Sequence, residues 1–571
     1  MAFTIAFGLV FMFSSVLVHS SVANTPSNAP IKVWIYLDES KLTPANTRPV
    51  ALHEKILKRL SVKGTGSSDY LSNSKPDDSL HNQIATHVVK IVQYSRSLRA
   101  YSAYASPSQI QELQELAFVK QVQPVRIYKR SHPVGKIELS SILAKTMLDT
   151  NVYGNSFNQL AQLNIPTVHD SGYTGKGVRI AVIDAGFYKD HPVFQHLIND
   201  GRLIAERDFV FNDDNVQDEI PEDTTSGGAQ SNHGTSVWSV VGGYVPYTYI
   251  GAAYGAEFLL AKTERIGSES IIEEDRFVAA VEWADSLGTD IISSSVAYRD
   301  FDNSDDDYFF EDLDGKTTAS ARAINWAFDR GILSTITAGN YAQYYSDGGL
   351  HTPTDAYGAL SCGAVDLQGI IASFSSHGPT ADGRIKPDLC ARGVGTYTAY
   401  ASLDYPYSNR SGTSFSTPLI AGAAALVMEK HPELSPAQIT ARLKQYASYA
   451  DFPDNRYGWG IPDVYRSVFE TGLTTEDGVV HSYPNPSIQS VSFQFHWTNI
   501  KPSNINTPFK IYNLLGELVW RTTLAPKSAG IGELVPWNLK NINGGIVPSG
   551  VYIVAVKDGH TTIRGKFLVL H

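Results

Sequence analysis

The sequence has little cysteine: Cys362 and Cys390 are the only two among 571 residues. Small exported domains that depend on disulfide bonds carry many more, so the chain is not a disulfide scaffold. Both residues lie in apolar stretches, which favours buried free thiols. A single bridge between them stays open at this point.

Positive charge is also in short supply. Lys and Arg number 46 against 57 Asp and Glu, which gives a formal net charge of −11 at pH 7. Proteins that bind nucleic acid need a basic surface, so nucleic acid is not expected as a partner. The hydrophobic content of 43% and the charged content of 18% are typical of globular proteins, and the length predicts several domains.

Long apolar runs are missing beyond the N-terminus. Residues 5–18 are apolar and are followed by Ser21-Val22-Ala23, small residues that suit cleavage after Ala23. We therefore predict a signal peptide over residues 1–23. No Lys or Arg precedes the run, which leaves an uncleaved anchor as the alternative, but the run is short for a membrane span. The protein is expected to be exported, secreted or attached to the cell surface, with no membrane span after signal removal.

One stretch organises the rest of the chain. Gly412-Thr413-Ser414-Phe415-Ser416-Thr417-Pro418 precedes an Ala-rich run, which predicts a tight turn feeding a buried helix, with Ser414 at its start and Pro418 near its N-terminus. Free backbone N–H groups and the positive end of the helix dipole at that place suit a nucleophile whose attack creates an oxyanion. An N-capping serine on a core helix is the alternative.

Two other stretches decide between these interpretations. An apolar strand over residues 178–183 ends in Asp184, and His233 stands between small residues at the start of another apolar run. The order Asp, His, Ser is that of subtilisin and differs from the orders in chymotrypsin and the α/β-hydrolases. His191, His351, His377 and His431 do not have such neighbours.

With these residues in place, the chain resembles the subtilisin-like serine peptidases, the subtilase family. The matching motifs, in order, are V-I-D-A-G, N-H-G-T-S-V, T-A-G-N ending at Asn340, and G-T-S-F-S-T-P. The resemblance implies that Ser414 is the nucleophile, His233 the general base and then acid, and Asp184 the carboxylate that orients His233. It also implies that Asn340 donates to the oxyanion, together with the backbone N–H of Ser414.

The resemblance extends to the substrate-binding residues, with departures. It implies that an extended substrate pairs with a strand that contains Ser293, Ser295, Val296 and Ala297. It also implies that Ala338 and Gly339 form one wall of the pocket for the residue before the scissile bond. The family commonly has Gly where this chain has Ala297, which is followed by Tyr298, so a narrowed pocket is expected. Ala391-Arg392-Gly393 replaces the family's Ala-Pro-Gly, and we expect a changed turn there.

The predicted catalytic domain covers residues 155–470. Apolar strand-like runs alternate with helical ones, which predicts an α/β fold with a mostly parallel sheet covered by helices on both faces, as in subtilisin. An acidic loop over residues 302–314 could bind Ca²⁺, but a solvated insertion is favoured. No metal ligand is assigned, no cofactor is expected for the chemistry, and structural calcium stays open.

The mixture of strand-like and helical patterns over residues 24–135 predicts a small α+β domain that precedes the catalytic domain. It resembles the subtilisin propeptide, an intramolecular chaperone and inhibitor whose C-terminal strand lies in the active-site cleft. A linker over residues 136–154 is expected to contain the processing site. An accessory domain that stays attached is the alternative.

Residues 471–571 predict a β-sandwich, because short alternating runs are separated by turn signals such as Asn543-Gly544-Gly545. The pieces Y-P-N-P, I-Y-N-L-L-G-E-L-V and V-P-S-G-V-Y-I-V resemble the C-terminal sorting domains of the type IX secretion system. A generic immunoglobulin-like domain is the alternative.

These predictions favour an exported serine endopeptidase that is made as a zymogen and hydrolyses peptide bonds through an acyl-enzyme. Its expected partners are protein or peptide substrates, its own propeptide and the type IX secretion machinery. A catalytically inactive scaffold for surface binding and a specialised processing peptidase or transpeptidase are the alternatives.

Overall fold

The structure is a computed structural model of the chain. It describes residues 30–42, 47–48, 55, 75–125, 152–219, 230–402, 404, 406–450, 453–470, 480–483, 491–495, 507–524, 535–558 and 561–569. The predicted signal peptide and most of the predicted processing linker lie outside these residues. None of the helices within the described ranges has the length and apolar composition that crossing a bilayer needs.

Within the described residues, the N-terminal part contains a four-stranded antiparallel sheet and helices over residues 78–85 and 107–114. The strands are β1 (Ile31–Leu37), β2 (Lys90–Ser95), β3 (Ala100–Ala105) and β4 (Val119–Pro124), in the order β2-β3-β1-β4. Helix α1 (Asp78–Ala85) precedes β2, and α2 (Pro107–Gln114) precedes β4. Ser106 and Gln109 form a capping box at the start of α2, as the sequence indicates. A two-stranded pair joins Thr47–Arg48 to Lys75–Pro76.

The centre of the molecule is a seven-stranded parallel sheet. Its strands are β5 (Arg179–Asp184), β6 (Leu203–Asp208), β7 (Glu257–Lys262), β8 (Ile291–Ser294), β9 (Leu333–Thr337), β10 (Ala359–Val365) and β11 (Leu389–Arg392). Their order is β11-β10-β9-β8-β5-β7-β6, and every neighbouring pair is parallel. All six residues of β5 are buried, as expected for a strand covered on both faces.

Helices cover both faces of this sheet. Before and between the strands lie α3 (Phe157–Ala161), α4 (Ile165–Asp170), α5 (Gln195–Asn199), α6 (Asn232–Gly242), α7 (Ile272–Ser286) and α8 (Ala319–Asp329). One core contains α6 with Ile180 and Val182 of β5, and the other contains α7 and α8 with Ala181 and Ile183. Successive side chains of β5 therefore point to opposite faces of the sheet and pack into the two helical layers, which confirms the predicted α/β fold.

A hairpin and three helices complete the domain. Strands β12 (Thr396–Ala399) and β13 (Tyr407–Arg410) pair antiparallel and lead into α9 (Thr413–Lys430), α10 (Pro436–Gln445) and α11 (Val464–Phe469). Fifteen residues of α9 are buried, so it is the predicted core helix, but Pro418 lies inside it. Short elements are Tyr244–Val245 paired with Tyr249–Ile250 and the 3₁₀ turns Glu39–Lys41, Pro192–Phe194, Ser304–Asp306 and Phe310–Asp312.

Within its described residues, the C-terminal part contains two antiparallel sheets. One contains β14 (Val480–Tyr483), β15 (Val491–Phe495) and β18 (Val535–Trp537) in the order β14-β15-β18. The other contains β16 (Thr507–Asn513), β17 (Leu518–Leu524), β19 (Gly550–Asp558) and β20 (Thr561–Val569) in the order β17-β16-β19-β20. An apolar core unites Phe509, Ile511 and Trp537 with the inward residues of β19 and β20. This arrangement fits the predicted sandwich.

Candidate active site

Asp184 and His233 meet at one edge of the sheet, where a strand ends and a helix begins. Asp184 is the last residue of β5 and is fully buried, and His233 is the second residue of α6. The Nδ1 atom of His233 lies 2.7 Å from Oδ1 of Asp184, and the backbone N–H of Ala185 donates to the same oxygen at 2.8 Å. The start of α6 packs closely against the loop that follows β5. This packing requires glycine at position 234, because a Cβ there would lie 2.2 Å from the carbonyl oxygen of Gly186.

Ser414 lies at the start of α9, the helix whose Phe415 ring approaches His233. It is the second residue of the helix and is 6% exposed, and the ring of the following Phe415 lies 5.9 Å from the ring of His233. The Oγ atom of Ser414 lies 3.5 Å from the carbonyl oxygen of Ser295, whose own hydroxyl donates to the carbonyl of Ser414 at 2.9 Å. The hydroxyl is thus held near the N-terminal end of a long helix, where the dipole favours negative charge.

Asn340 is oriented by its contacts with Thr413. Its Oδ1 accepts hydrogen bonds from the backbone N–H and from the hydroxyl of Thr413, both at 2.9 Å. The hydroxyl of Thr337 donates to that of Thr413 at 2.7 Å and extends the chain. Because Oδ1 takes both donors, the Nδ2 amide faces the other way, and a Cβ at Gly412 would lie 3.5 Å from it. Gly412 has φ +154°, which favours glycine.

Charges around the site act on His233. Burial alone would lower the pKa of its imidazole, but the charge of Asp184 and the hydrogen bond to it outweigh burial, so the pKa is raised above 6.5. Glu264 adds to this effect, while Arg410 opposes it. The site therefore stabilises the protonated imidazole, the form that a general base reaches after taking a proton.

Glu264 is the second carboxylate near this edge, and the sequence analysis missed it. Its Oε1 accepts from the hydroxyls of Thr263 and Tyr298, both at 2.7 Å. Burial, with a contribution from Asp184, raises its pKa to about 7. The register pairs Lys262 of β7 with Asp184 of β5, and this pairing of two distant strands brings Glu264, two residues beyond β7, to the same edge.

Among the predicted substrate-binding residues, Ser295 contacts Ser414. Ser293 lies within β8, and Ser295, Val296 and Ala297 follow that strand. The carbonyl oxygen of Ser295 faces the Ser414 hydroxyl. Ala338 and Gly339 follow the neighbouring β9. Tyr298 is 1% exposed, and its ring packs against Phe277 and Phe301 within the α7 layer. Its side chain is therefore part of the core and does not narrow a pocket.

The N-terminal sheet binds the outer surface of α7. Lys32 of β1 lies 2.8 Å from Asp275 and donates to the carbonyl of Ile271 at 3.1 Å, and its side chain is 4% exposed. The hydroxyl of Ser102 donates to the same Asp275 at 2.7 Å. Trp34 and Leu98 join the apolar core of α7 and α8.

Glu282, also on α7, is a second anchor that the sequence analysis missed. Its carboxylate accepts from the Ser95 hydroxyl at 2.7 Å and from the backbone N–H groups of Arg96 and Ser97 at 3.1 and 2.9 Å. Nothing in the sequence around Glu282 distinguishes it from a solvent-facing helix carboxylate. The predicted closing strand of this domain over residues 119–125 is β4, which pairs with β1, and residues 126–135 at the end of the predicted domain lie outside the described residues.

Three further predicted features have local explanations. Cys362 and Cys390 are free and buried on the neighbouring strands β10 and β11, as the sequence favours. The guanidinium of Arg392 donates to the carbonyls of Val394 and Gly395, both at 3.1 Å, and so forms the changed turn. In the acidic loop, Asp307 and Asp312 accept from nearby backbone N–H groups. Among the described residues, no group of three or more His, Cys, Asp or Glu side chains is arranged to hold a metal ion.

Known proteins are similar to this chain in sequence. Subtilisin E of Bacillus subtilis is 29% identical over 296 residues, which cover 51% of this chain and 65% of that protein. A subtilisin of Bacillus pumilus is 29% identical over 311 residues, which cover 53% of this chain and 96% of that protein. The chain therefore matches just under two thirds of the length of subtilisin E.

A solved structure agrees at the level of the fold. The epidermin leader peptide processing serine protease of Staphylococcus aureus is 16% identical, with a TM-score of 0.51 over 78% of this chain and all of that chain. Residues 481–570 match the secretion system C-terminal sorting domain. Residues 175–460, half of the sequence, match the subtilase family, and the chain belongs to that family.

Proposed function

We propose that this protein is an exported serine endopeptidase with Ser414, His233 and Asp184 as its catalytic residues. The hydrogen bond of 2.7 Å between His233 and the fully buried Asp184 is the observation that supports it most strongly. Asp184 holds the Nδ1–H tautomer, which leaves Nε2 of His233 free to take the proton of Ser414. A scaffold that only binds would have no need for this arrangement.

The reaction follows from these positions. The Ser414 oxygen attacks the peptide carbonyl while His233 takes its proton, and the new oxyanion is stabilised by Nδ2 of Asn340 and the backbone N–H of Ser414. His233 then gives the proton to the leaving amine, which departs and leaves an acyl-enzyme. Water, deprotonated by His233, attacks the ester carbonyl, and His233 returns the proton to the Ser414 oxygen as the acid product leaves.

The N-terminal domain is proposed as a propeptide. Its contacts with Asp275 and Glu282 bury charged and hydroxyl groups against the catalytic domain, which suits a module that assists folding and inhibits until it is removed. The C-terminal domain is proposed to direct secretion through the type IX system and to end in attachment at the cell surface, in line with the sorting domain that residues 481–570 match.

The test is hydrolysis of casein by the full-length protein, its Ser414→Ala variant and Ser416→Ala as a matched control. Ser416 lies on the same helix, is buried, and donates to the carbonyl of Thr413 at 2.8 Å. We expect cleavage by wild type and Ser416→Ala only. A second arm adds a primary amine: products that carry the amine in preference to water would indicate a transpeptidase and overturn the hydrolase proposal. Equal cleavage by Ser414→Ala would overturn the catalytic assignment.

A further inference from the structure

The C-terminal domain has the opposite charge to the rest of the chain. Residues 471–571 contain eight Lys and Arg against five Asp and Glu, a net charge of +3, so the remaining residues carry −14 of the total of −11. Such an asymmetry between parts of one chain indicates that the basic part has an anionic partner. None of the residues assigned to peptide hydrolysis lies in this part of the chain.

Four of these cations lie on one open face of the sheet β17-β16-β19-β20. Register pairs Lys510 with Arg521, Lys510 with Ala555, and Ala555 with Arg564, so these four residues form one row across the sheet. Lys566 follows in the next row, opposite Ile553. The residues that alternate with them, such as Phe509 and Ile511, are buried in the sandwich core. We call Lys510, Arg521, Arg564 and Lys566 the cationic face.

Nothing in the described part of the domain neutralises this face. None of its four cations has a carboxylate at ion-pair distance among the residues that the structure describes. The carboxylate of Glu517, on the adjoining hairpin, accepts from the Asn513 side chain at 2.7 Å. Like charges directly opposite each other, such as Lys510 and Arg521, destabilise a sheet, so an anion bound between them would stabilise it.

Apolar residues accompany the cations. A pocket of about 360 Å³ is lined by Lys510 and Arg564 together with apolar side chains, which are Pro508, Tyr512, Leu514, Ile553 and Ala555. Leu514 and Leu515 form the tip of the hairpin between β16 and β17 and are 66% and 85% exposed. The same part of the domain therefore presents charge for an anion and projecting leucines for an apolar phase.

We propose that this face binds the surface of a membrane that contains anionic lipids. Lipid phosphates would lie against the cationic face, and Leu514 and Leu515 would enter the boundary between headgroups and acyl chains. An acidic partner protein would complement the cations, but a projecting leucine with only 15% of its surface covered by its own chain suits insertion into a fluid interface. The domain would thus hold the protein at a membrane without spanning it.

The test is sedimentation of the full-length protein with vesicles, with the mass of the bound chain checked. One set contains equal parts phosphatidylcholine and phosphatidylglycerol, and the other phosphatidylcholine alone. We expect binding to the anionic set only, and its loss at about 1 M salt, where charges are screened within about 3 Å. Binding to neither set, or to both equally, would overturn the proposal.

Two pairs of variants locate the contact. Lys510→Gln with Arg564→Gln removes two charges from the cationic face, and we expect partitioning onto anionic vesicles to weaken about thirtyfold. Lys176→Gln with Lys316→Gln removes two exposed charges from the catalytic domain as the matched control, and we expect no change. Equal weakening by both pairs would show an effect of net charge alone and overturn the site. Leu514→Ser with Leu515→Ser should also weaken binding, and unchanged binding would overturn insertion.

Discussion

The Nδ1 atom of His233 lies 2.7 Å from an oxygen of Asp184, which has no exposure to solvent. A buried carboxylate at this distance fixes the tautomer of the imidazole and stabilises its charged form. The catalytic part of the proposed mechanism depends on this relationship.

Replacing Asp184 by Asn tests that dependence. The amide keeps the shape of the side chain but can hold the imidazole in the wrong tautomer, so we expect the turnover number for a peptide substrate to fall about 10⁴-fold. Steady-state kinetics on a fluorogenic peptide measures it. A loss below tenfold, in a protein with unchanged circular dichroism, would contradict the assigned role.

The pH dependence follows from the raised pKa of His233. The base must be neutral to accept a proton, so activity is lost as the pH falls through this pKa. Because the pKa is raised, the acid limb of kcat/KM should lie above pH 6.5, the ordinary value for histidine. In Asp184→Asn the raising charge is gone, so the residual activity should extend to lower pH.

Glu264, whose pKa is raised to about 7, titrates in the same range and needs its own control. In Glu264→Gln the acid limb should persist and move slightly to lower pH, because the Glu264 charge contributes to raising the pKa of His233. Disappearance of the limb in this variant would assign it to Glu264 and contradict the role of His233.

Asn340→Ala tests the oxyanion site. Thr413 occupies its Oδ1, so Nδ2 is the group available to a developing oxyanion. Removing one such donor lowers turnover by about 10²–10³ while KM changes little. An increase in KM at unchanged kcat would instead indicate a residue that only binds substrate.

Glu282→Gln tests the attachment of the N-terminal domain. Its carboxylate accepts three hydrogen bonds from residues 95–97, and a neutral amide would make them weaker. We expect the cleaved N-terminal domain to separate from the catalytic domain earlier, measured by size-exclusion chromatography during maturation. Glu433→Gln, at an exposed carboxylate, is the control and should behave as wild type. Identical elution of both variants would contradict the anchor.

The ion pairs of Asp388 are expected to make the stability of the protein depend on pH. It lies 2.7 Å from Lys386 and 2.6 Å from Lys444. Burial would raise its pKa, but the two ammonium groups outweigh burial and lower it to about 2 from 3.8. The pKa of Asp388 is lower in the folded protein than in the unfolded chain, so its ionised form stabilises the folded state by about 2 kcal/mol. This contribution is fully present above pH 3.8 and is lost as the pH falls through about 2.

Replacing Asp388 by Asn leaves two unpaired cations, one of them buried, which costs about 3–5 kcal/mol. In a Ser414→Ala background that prevents self-cleavage, we expect the melting temperature at neutral pH to fall by about 5–10 °C. Asp404→Asn, at an exposed carboxylate, should leave it unchanged. Equal melting temperatures for both variants would contradict the stabilising role of the ion pairs.

Much of the fold could be predicted from the sequence because periodicity and composition are local signals. The apolar run that ends in Asp184 gave the bounds of β5 within a residue, and the Ala-rich run after Ser414 indicated the buried helix α9. The capping box of Ser106 and Gln109 at the start of α2 is likewise formed by neighbouring residues. In each case the residues that form the element also carry the signal.

Contacts between distant parts of the chain carried no such signal. Glu264 matters because parallel register brings the end of β7 beside Asp184, and Glu282 matters because residues 95–97 bind it. Tyr298 was expected near the substrate pocket, but its hydroxyl donates a hydrogen bond to Glu264 and its ring is buried in the core. Such roles depend on which surfaces meet, and the local sequence does not encode that.

The most direct test of the central claim is covalent labelling of the full-length protein by a fluorophosphonate probe, with mass and N-terminal sequence determined together. The account predicts that wild type and Ser416→Ala are labelled at Ser414 on a shortened chain that lacks the N-terminal domain, and that Ser414→Ala is not labelled. Absence of labelling in a folded wild-type protein whose N-terminal domain has been removed would contradict the account.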